Sequence, residues 1–464
     1  MSNYLAIDLG AESGRVMLGV LNGGRLALEE LHRFPNQPVE LPNGLYWDSF
    51  RLHHEIVRGL TIAGRERKLR VDGIGVDTWG VDFALLGADG GLLECPRHYR
   101  DARTNGVPER LFEVAPREEV FAATGIQIMA LNTLFQLYAM HLAGSPALAV
   151  AQRLLFMPDL LNYWLTGVQR AEVTIASTSQ FYDSASRGFA TALLEKLGLP
   201  VRLLPALIEP GRRLGTLLPA LGETTGLGAA PVYATAAHDT AAAVAAVPAT
   251  GDDWCYISSG TWSLMGVELP APVINESSRR LNFTNEAGAN GSILLLKNIA
   301  GLWLLQECRR AWAAEGETFT YDELIRMAEA AGPAAALIEP DDFVQPGGMP
   351  ARIAARCGAR TKGEICRVIL ESLARRYREV LDGLESLTEK TIRTIHIVGG
   401  GSRNALLNRL VASATGRTVI AGPAEATAAG NVLVQAMGAG EVAGASEARE
   451  IVRRSFGIEV FEPG

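Results

Sequence analysis

The sequence predicts an α/β protein of two domains, and three observations lead there. Strand-like and helix-like patterns alternate along the chain, the signature of that class. The length of 464 residues exceeds what one hydrophobic core ordinarily serves. A strand–glycine–strand unit also occurs twice, about half the chain apart.

The first copy opens the chain. "YLAIDLG" is a short buried strand, "RVMLGVL" follows after the turn "AESG", and "GGRLALEELHRF" continues after "NGG", which makes an antiparallel meander. "VDGIGVDTWG" and "DFALLGADGGLLE" read as two more strands, the second with a hairpin turn at "ADGG". From about Glu109 to Leu165 the pattern is helical. "LFQLYAMHLA" is amphipathic, and Pro158-Asp159 precede "LLNYWLTG", a helix ending at a glycine. Gly/Pro-rich loops occupy 199–231, and "VPATGDD" reads as a linker.

The second copy is "WCYISSG", a turn and "SLMGVEL". Aligning Gly10 with Gly260 sets Ile7 opposite Ile257 and Gly19-Val20 opposite Gly266-Val267, with a turn three residues shorter. "AGLWLLQECRRAW" and 368–387 follow as amphipathic helices, the latter with apolar Ile369, Leu373, Tyr377, Val380, Leu381 and Leu384. "TIHIVGGGSRNALLNRLVASATGRTVIAG" reads as a βαβ unit, and "EATAAGNVLVQAMGAG" adds a helix.

Composition narrows the function classes. With 48% hydrophobic and 20% charged residues the chain is an ordinary globular one. A net charge of −8 argues against broad nucleic-acid or anionic-membrane binding, while leaving room for a local phosphate pocket. Five cysteines make no disulfide framework, and the spacing of Cys357 and Cys366 fits no common zinc pattern. The N-terminus runs at once into a strand, with no basic or long apolar leader, and the longest apolar tracts are broken by His, Asp or Pro. A cytoplasmic protein is the expectation.

Five stretches could carry chemistry. "DLGAESGR" (Asp8 to Arg15) ends a strand with an acid and turns through small residues, so backbone N–H groups could approach an anion. Arg15 could add a charge-assisted contact to phosphate, and Asp8 could hold a hydrated Mg²⁺; a plain hairpin is the alternative. "SSGTWS" (Ser258 to Ser263) offers a second such turn, so two hydroxyl-bearing turns could grip a nucleotide's phosphates. "VGGGSRNALL" places three glycines between strand and helix, suited to a flat ligand, a phosphate or simply close packing. In "AAHDTAAAVAAVP", Asp239 stands where a helix should begin. It is either an N-cap or a carboxylate placed to accept a hydroxyl proton, and the alanines behind it would let its helix pack closely on a neighbour. Finally, "DTWGVDF" and "YRDARTNG" combine polar groups for hydroxyls with an aromatic face for C–H bonds, as a sugar site would.

Taken in order, "IDLGAESGRVMLG", "GVDTWGVDFALL", "YRDARTNG", "TGIQIMALNTLFQL", "AAHDTAAAVAAVP", "YISSGTWSLMGVE", "LKNIAGLWLLQECRR" and "IHIVGGGSRNALLN" resemble the FGGY carbohydrate kinases over essentially the whole chain. The resemblance implies the two-lobed actin-like ATPase fold of sugar kinases, Hsp70 and actin, each lobe a mixed sheet flanked by helices. Residues 1–244 would carry the sugar site and first phosphate turn, and 245–464 the second phosphate turn and the adenosine site, with ATP and sugar between them. By the same resemblance Asp239 is the general base. His238 and Gly80 match substrate-binding positions, Gly80 because a side chain would intrude on the sugar, and Asp82 and Arg100 are further contacts. Ser13, Gly14 and Arg15 form the first phosphate turn and Thr261 belongs to the second. Asn298, Gln306 and Gly400 match nucleotide-contacting positions, and Asp8 would position Mg²⁺ through water.

The implied reaction moves the γ-phosphoryl group of MgATP to O1 of L-rhamnulose, with L-fuculose or another ketose or deoxy sugar as the alternative acceptor. The partners would be small molecules, with neither nucleic acid nor membrane, and the state monomer or homodimer. Glu12 departs from the family's Ser in the first turn and should point away from phosphate. Ala237 stands where others carry a polar small residue. A dinucleotide-dependent oxidoreductase could rest on Gly399–Gly401, but no GxGxxG follows the first strand. A sugar or nucleotide sensor is the non-enzyme rival, against which an intact Asp239 counts.

Overall fold

In strand β1 (Ser2–Leu9) every residue from Tyr4 onward is buried, as a central strand covered on both faces requires. It pairs antiparallel with β2 (Ser13–Asn22), which pairs antiparallel with β3 (Arg25–Pro35). On its other side β1 pairs parallel with β4 (Gly73–Thr78). With β5 (Arg213–Thr216) and β6 (Pro231–Tyr233) these strands form a six-stranded mixed sheet in the order β5-β6-β4-β1-β2-β3. The computed structural model describes residues 1–464. It divides into two units, and this sheet belongs to the first: Met1–Ala246, Glu268–Leu295 and Thr427–Ser455.

Helices cover that sheet. Helix Ser49–Thr61 and helix Ala426–Gly438 are two of them. The latter donates from Asn431 Nδ2 to the Gly75 carbonyl (3.2 Å) and from Gln435 Nε2 to the Leu5 carbonyl (3.1 Å). Helix Met157–Thr166 includes Pro158 and Asp159 and ends at Gly167 in the left-handed conformation. Three details differ from the sequence reading. Strand Phe83–Leu86 pairs with Arg153–Phe156, so the turn after it closes no two-stranded hairpin of its own beyond a bridge between Leu86 and Leu92. Helix Thr133–Leu142 is buried from Thr133 through Met140, because it runs through the core formed with Phe83, Leu111, Phe121, Leu154 and Phe181. The 199–231 stretch holds two short strands and a helix, Pro219–Thr225, besides its turns.

The second unit comprises Val247–Val267, Leu296–Ala426 and Phe456–Gly464. Strand β7 (Trp254–Ser259) pairs antiparallel with β8 (Trp262–Leu269). Beside β8 runs β9 (Ile293–Ala300). On the other side of β7 lie parallel β10 (Thr394–Val398), parallel β11 (Thr418–Ala421) and antiparallel β12 (Glu459–Phe461). Helices Trp303–Ala314, Lys362–Thr388 and Ala405–Thr415 flank these strands.

The two sheets thus repeat one pattern: a central strand, an antiparallel hairpin partner and a parallel neighbour. The register fixes the repeat. Leu9 faces Gly14 and Ser259 faces Ser263, so the second turn is one residue shorter, not three. Gly266 faces Tyr256, whereas Gly19 faces Tyr4, so these glycines are not equivalent. All five cysteines are free thiols, and no helix is long and apolar enough to cross a membrane.

Candidate active site

In the first unit, β1 and β4 end side by side, with Asp8 opposite Asp77. The turn after β1 is closed by the Gly10 N–H donating to the Ser13 carbonyl at 2.9 Å. It is pinned from outside by Asn36, which donates from Nδ2 to the Gly10 carbonyl (2.8 Å) and from its backbone N–H to the Glu12 carbonyl (2.9 Å). Glu12 is exposed, while Arg15 is ion-paired with Asp8. A Cβ on Gly14 would run into Phe34 and Leu9, so packing alone demands glycine there.

Past β4 the chain reverses at Gly80–Val81–Asp82. The Asp82 N–H donates to the Gly80 carbonyl (3.0 Å), a three-residue turn whose central residue, Val81, has φ +69°. A β-branched residue in that region is strained and persists only where its surroundings over-determine it. Here they do. Thr178 Oγ1 accepts from the Val81 N–H (3.0 Å), and the Val81 carbonyl accepts from Thr133 Oγ1 (2.6 Å). A Cβ at Gly80 would stand 3.2 Å from three Thr178 atoms, so this glycine also accommodates Thr178.

Asp82 is buried and both its oxygens are engaged. Oδ2 accepts from Trp47 Nε1 (2.6 Å), Trp79 Nε1 (3.0 Å) and the Tyr99 N–H (3.2 Å), and Oδ1 from Gln136 Nε2 (3.0 Å). Burial pushes its carboxyl up to about 6 against the pull of those donors. Asp82 therefore holds an aromatic group together: Trp47 lies 4.1 Å from Trp79 and 4.2 Å from His98, and the Arg100 guanidinium stands 5.3 Å from the Tyr99 ring. Arg103, through Gln136, extends the network (2.7 Å).

His238 and Asp239 lie beside the end of β4. The Thr78 N–H donates to the Ala237 carbonyl (2.9 Å), and Thr78 bridges to His238. The helix starts at Asp239 itself, and its cap residue, His238, makes no side-chain cap. Asp239 Oδ1 accepts from Thr240 Oγ1 (3.2 Å), and its side chain is 33% exposed in a region where nearly everything else is buried. His238 Nε2 is 3.4 Å from Asp239 Oδ1, and Nδ1 is 3.2 Å from Glu286 Oε2. Burial pushes the Asp239 carboxyl up; the His238 charge opposes this and the Asp8 charge adds to it. Asp77, wholly buried, is raised well above the usual carboxylate range by burial and by Asp8 and Asp239, although Asn431 Nδ2 donates to it (2.5 Å).

The first unit therefore brings Asp8, Arg15, His238 and Asp239 together at one end of its sheet. It sets Gly80, Asp82 and Arg100 on the turn and loop that follow β4. One segment passed over in the sequence joins the two groups. Glu172 Oε2 accepts from the N–H groups of Thr174 (2.9 Å), Ile175 (3.1 Å) and Ala237 (3.1 Å). Thr174 Oγ1 accepts from the His238 N–H (3.1 Å), and Ser177 Oγ from the Ala287 N–H (2.9 Å), next to Glu286. Thr178 holds Val81, as above. The only signal in the sequence is a run of polar residues inside a stretch that the structure buries.

The second unit carries the other four candidates. Its turn after β7 is closed by the Gly260 N–H on the Trp262 carbonyl (2.9 Å), the counterpart of the Gly10 bond. The carbonyls of Gly260 and Thr261 accept from Leu302 (3.1 Å) and Trp303 (3.0 Å), which seats the start of the helix bearing Gln306 on this turn. Asn298 lies just before, on β9. After β10, Gly399 has φ +81°, and a Cβ at Gly401 would collide with Ser259. Gly400, between them, has nothing within 4 Å of where its Cβ would be. Thr261 and Gly400 thus lie on the turns that follow the ends of parallel β7 and β10, the usual place for a ligand in such sheets.

This fold and site define a class. The model of the N-terminal domain of the FGGY family of carbohydrate kinases matches residues 3–246, and that of its C-terminal domain residues 255–439. The chain belongs to that family, whose members take a sugar and ATP as substrates. Within it, the chain is 47% identical to a rhamnulokinase of Bacteroides thetaiotaomicron over 99% of its own length and 96% of the relative's. It is 38% identical to a rhamnulokinase of Bacillus subtilis over 99% and 95%. Among solved structures it resembles a xylulose kinase from Lactobacillus acidophilus (TM-score 0.83, 14% identity, covering 100% of this chain and 94% of that one). It also resembles a Plasmodium falciparum glycerol kinase with ADP (TM-score 0.78, 14% identity, 100% and 94%). These two share its fold.

Proposed function

We propose that the chain transfers the γ-phosphoryl group of ATP to O1 of L-rhamnulose, with Asp239 as general base. The observation that carries the chemistry is the Asp239 carboxylate: part-exposed at a strand–helix junction, beside His238 and within the field of Asp8. The identity of its relatives supports the sugar. The substrate hydroxyl gives its proton to Asp239 as its oxygen forms the new bond to the γ-phosphorus; the bond to the bridging oxygen breaks and ADP leaves. Arg15 and the N–H groups of the first turn neutralise phosphate charge, and Gly80, Asp82, Arg100 and His238 shape the sugar side. In the second unit, Thr261, Asn298, Gln306 and Gly400 hold the nucleotide.

A divalent ion fits this residue set in one way only. No group of three or more His, Cys, Asp or Glu side chains is arranged to hold a metal. Yet Asp8 stands beside Asp77, whose ionisation its charge opposes, so an added cation would be welcome there. Mg²⁺ bound mainly by phosphate and water, with Asp8 as its protein anchor, matches that donor set and would supply charge neutralisation.

The test is ADP release with MgATP against L-rhamnulose, L-fuculose, L-ribulose, D-xylulose and glycerol, with Asp239→Asn alongside. Turnover selective for L-rhamnulose and reduced about 10²–10⁴-fold in the variant is expected. Preference for another sugar overturns the substrate, and full activity in Asp239→Asn overturns the base.

A further inference from the structure

Glu286 has no part in the reaction as described, yet it is a buried acid at the back of the site. It lies on strand Thr284–Ala287, all of whose residues are buried. That strand is docked by neighbours on both sides of the acid: the Asn285 N–H donates to the Gly125 carbonyl (3.0 Å), and the Ala287 N–H to Ser177 Oγ (2.9 Å). Glu286 Oε2 then reaches His238 Nδ1 at 3.2 Å, while Nε2 on the other edge of the ring stands 3.4 Å from Asp239 Oδ1. Glu286, His238 and Asp239 form a carboxylate–imidazole–carboxylate chain. Its inner acid is 3% exposed and its outer one partly open.

We propose that Glu286 is a positioning residue that holds His238 as an imidazolium and fixes its ring edge toward Asp239. The reasoning rests on the reading of Asp239 as base. An ordered carboxylate on Nδ1 fixes the ring's orientation and stabilises its cation, as an acid behind a histidine does in other sites. The cation faces the base and favours its ionised form, the one able to accept a proton. Nε2–H remains a donor for a substrate hydroxyl or for Asp239.

The charged groups around the ring agree. Glu286 faces it from strand Thr284–Ala287, Asp239 from the ring's own helix, and Glu172 from the segment before helix Val173–Ala176. Burial alone would lower the imidazole's pKa, but the close Glu286 carboxylate, with the charges of Asp239 and Glu172, outweighs it, so the net direction is up. No covalent step is added; Glu286 changes which form of His238 and Asp239 meets the substrate.

The experiment is ¹⁵N-histidine NMR of the full chain, with His238→Asn to assign the resonance, followed by Glu286→Gln. In the wild type the His238 ring should carry protons on both nitrogens at pH 7. In Glu286→Gln it should lose the second proton at least one pH unit lower. kcat/KM for the sugar should then fall on the alkaline side at correspondingly lower pH, while KM for ATP stays within twofold. A neutral His238 ring in the wild type at pH 7 overturns the proposal without need of any variant. So does a His238 titration unmoved by Glu286→Gln. The NMR readout is independent of catalysis, so failure of the Glu286–His238 pairing is distinct from failure of Asp239 as base, which Asp239→Asn turnover reports.

Discussion

Gly430→Ala should damage catalysis without touching a substrate. Gly430 lies in helix Ala426–Gly438, and a Cβ built on it would stand only 1.7 Å from the carbonyl oxygen of Ala242, in the helix that begins at Asp239. Side-chain carbons essentially never approach within 3.0 Å of such an atom, so the two helices must part by on the order of 1 Å. The obstacle is backbone, which cannot rotate aside. Overpacking of this kind should destabilise by about 1–3 kcal/mol. The displaced helix carries the base, and a misplacement of about 1 Å can lower turnover about 10²-fold. Urea denaturation and steady-state ADP release would measure both, with Gly457→Ala as control, since nothing lies within 4 Å of a Cβ there. Wild-type kcat in a folded Gly430→Ala protein would refute the reasoning, because it would mean that the position of helix Asp239–Ala245 does not govern the chemistry. A loss of stability with kcat intact would refute the same link.

Three other outcomes follow from the geometry. Gly400→Ala should fold normally and raise KM for ATP several-fold, whereas Gly401→Ala should destabilise through Ser259; an unchanged KM for ATP in Gly400→Ala would remove Gly400 from the nucleotide site. The acid limb of the kcat/KM profile should lie above the usual carboxylate range, because burial raises the Asp239 carboxyl, and a limb at or below pH 4 would contradict that. Glu172 has its carboxyl pushed up to about 7 by burial, against 4.5 ordinarily. Its folded-state value exceeds the unfolded one, so the native state loses stability from this group as pH rises through about 4.5 to 7. Glu172→Gln should abolish that slope, worth on the order of 3 kcal/mol. Parallel stability–pH curves for variant and wild type would exclude it.

The parts of this protein legible in its sequence are those set by local chemistry. The turns at Gly10 and Gly260 announce themselves because a buried apolar run meets a glycine and hydroxyls, whatever surrounds them. The alanines after Asp239 signal close helix packing for the same reason, and helix Ala426–Gly438 supplies the neighbour through Gly430. Helix Thr133–Leu142 reads as amphipathic because polar Gln136 and His141 interrupt its apolar residues, yet Gln136 turns inward to Asp82 and Leu131. The repeated turn looks three residues shorter in sequence because two glycines match in type, while strand register, a tertiary property, pairs them with different partners. Asp82 was legible as a site residue, but only the fold reveals that its oxygens are taken by two indoles, an amide and a backbone N–H.

The least legible part, residues 172–178, does the most to assemble the first unit's site. Its polar groups hold three separate places: Glu172 and Thr174 the junction before Asp239, through the N–H groups of Ala237 and His238, Ser177 the N–H of Ala287, and Thr178 that of Val81. None of these bonds joins sequence neighbours, so no local pattern could have predicted them. Apolar residues of similar size would fill the same space but leave those N–H groups buried and unpaired, at about 1–3 kcal/mol each. Satisfied, the set admits one arrangement of base, histidine, buried acid and strained turn, and rejects its neighbours in conformational space. The strain at Val81 and the burial of Glu286 are then consequences of a single design. A short polar segment, fixed by tertiary contacts, holds in place residues that would relax elsewhere if left to their own preferences. Substitutions within 172–178 should accordingly lower kcat in proportion to which partner they release, Thr178 acting through the Gly80 turn and Thr174 through His238.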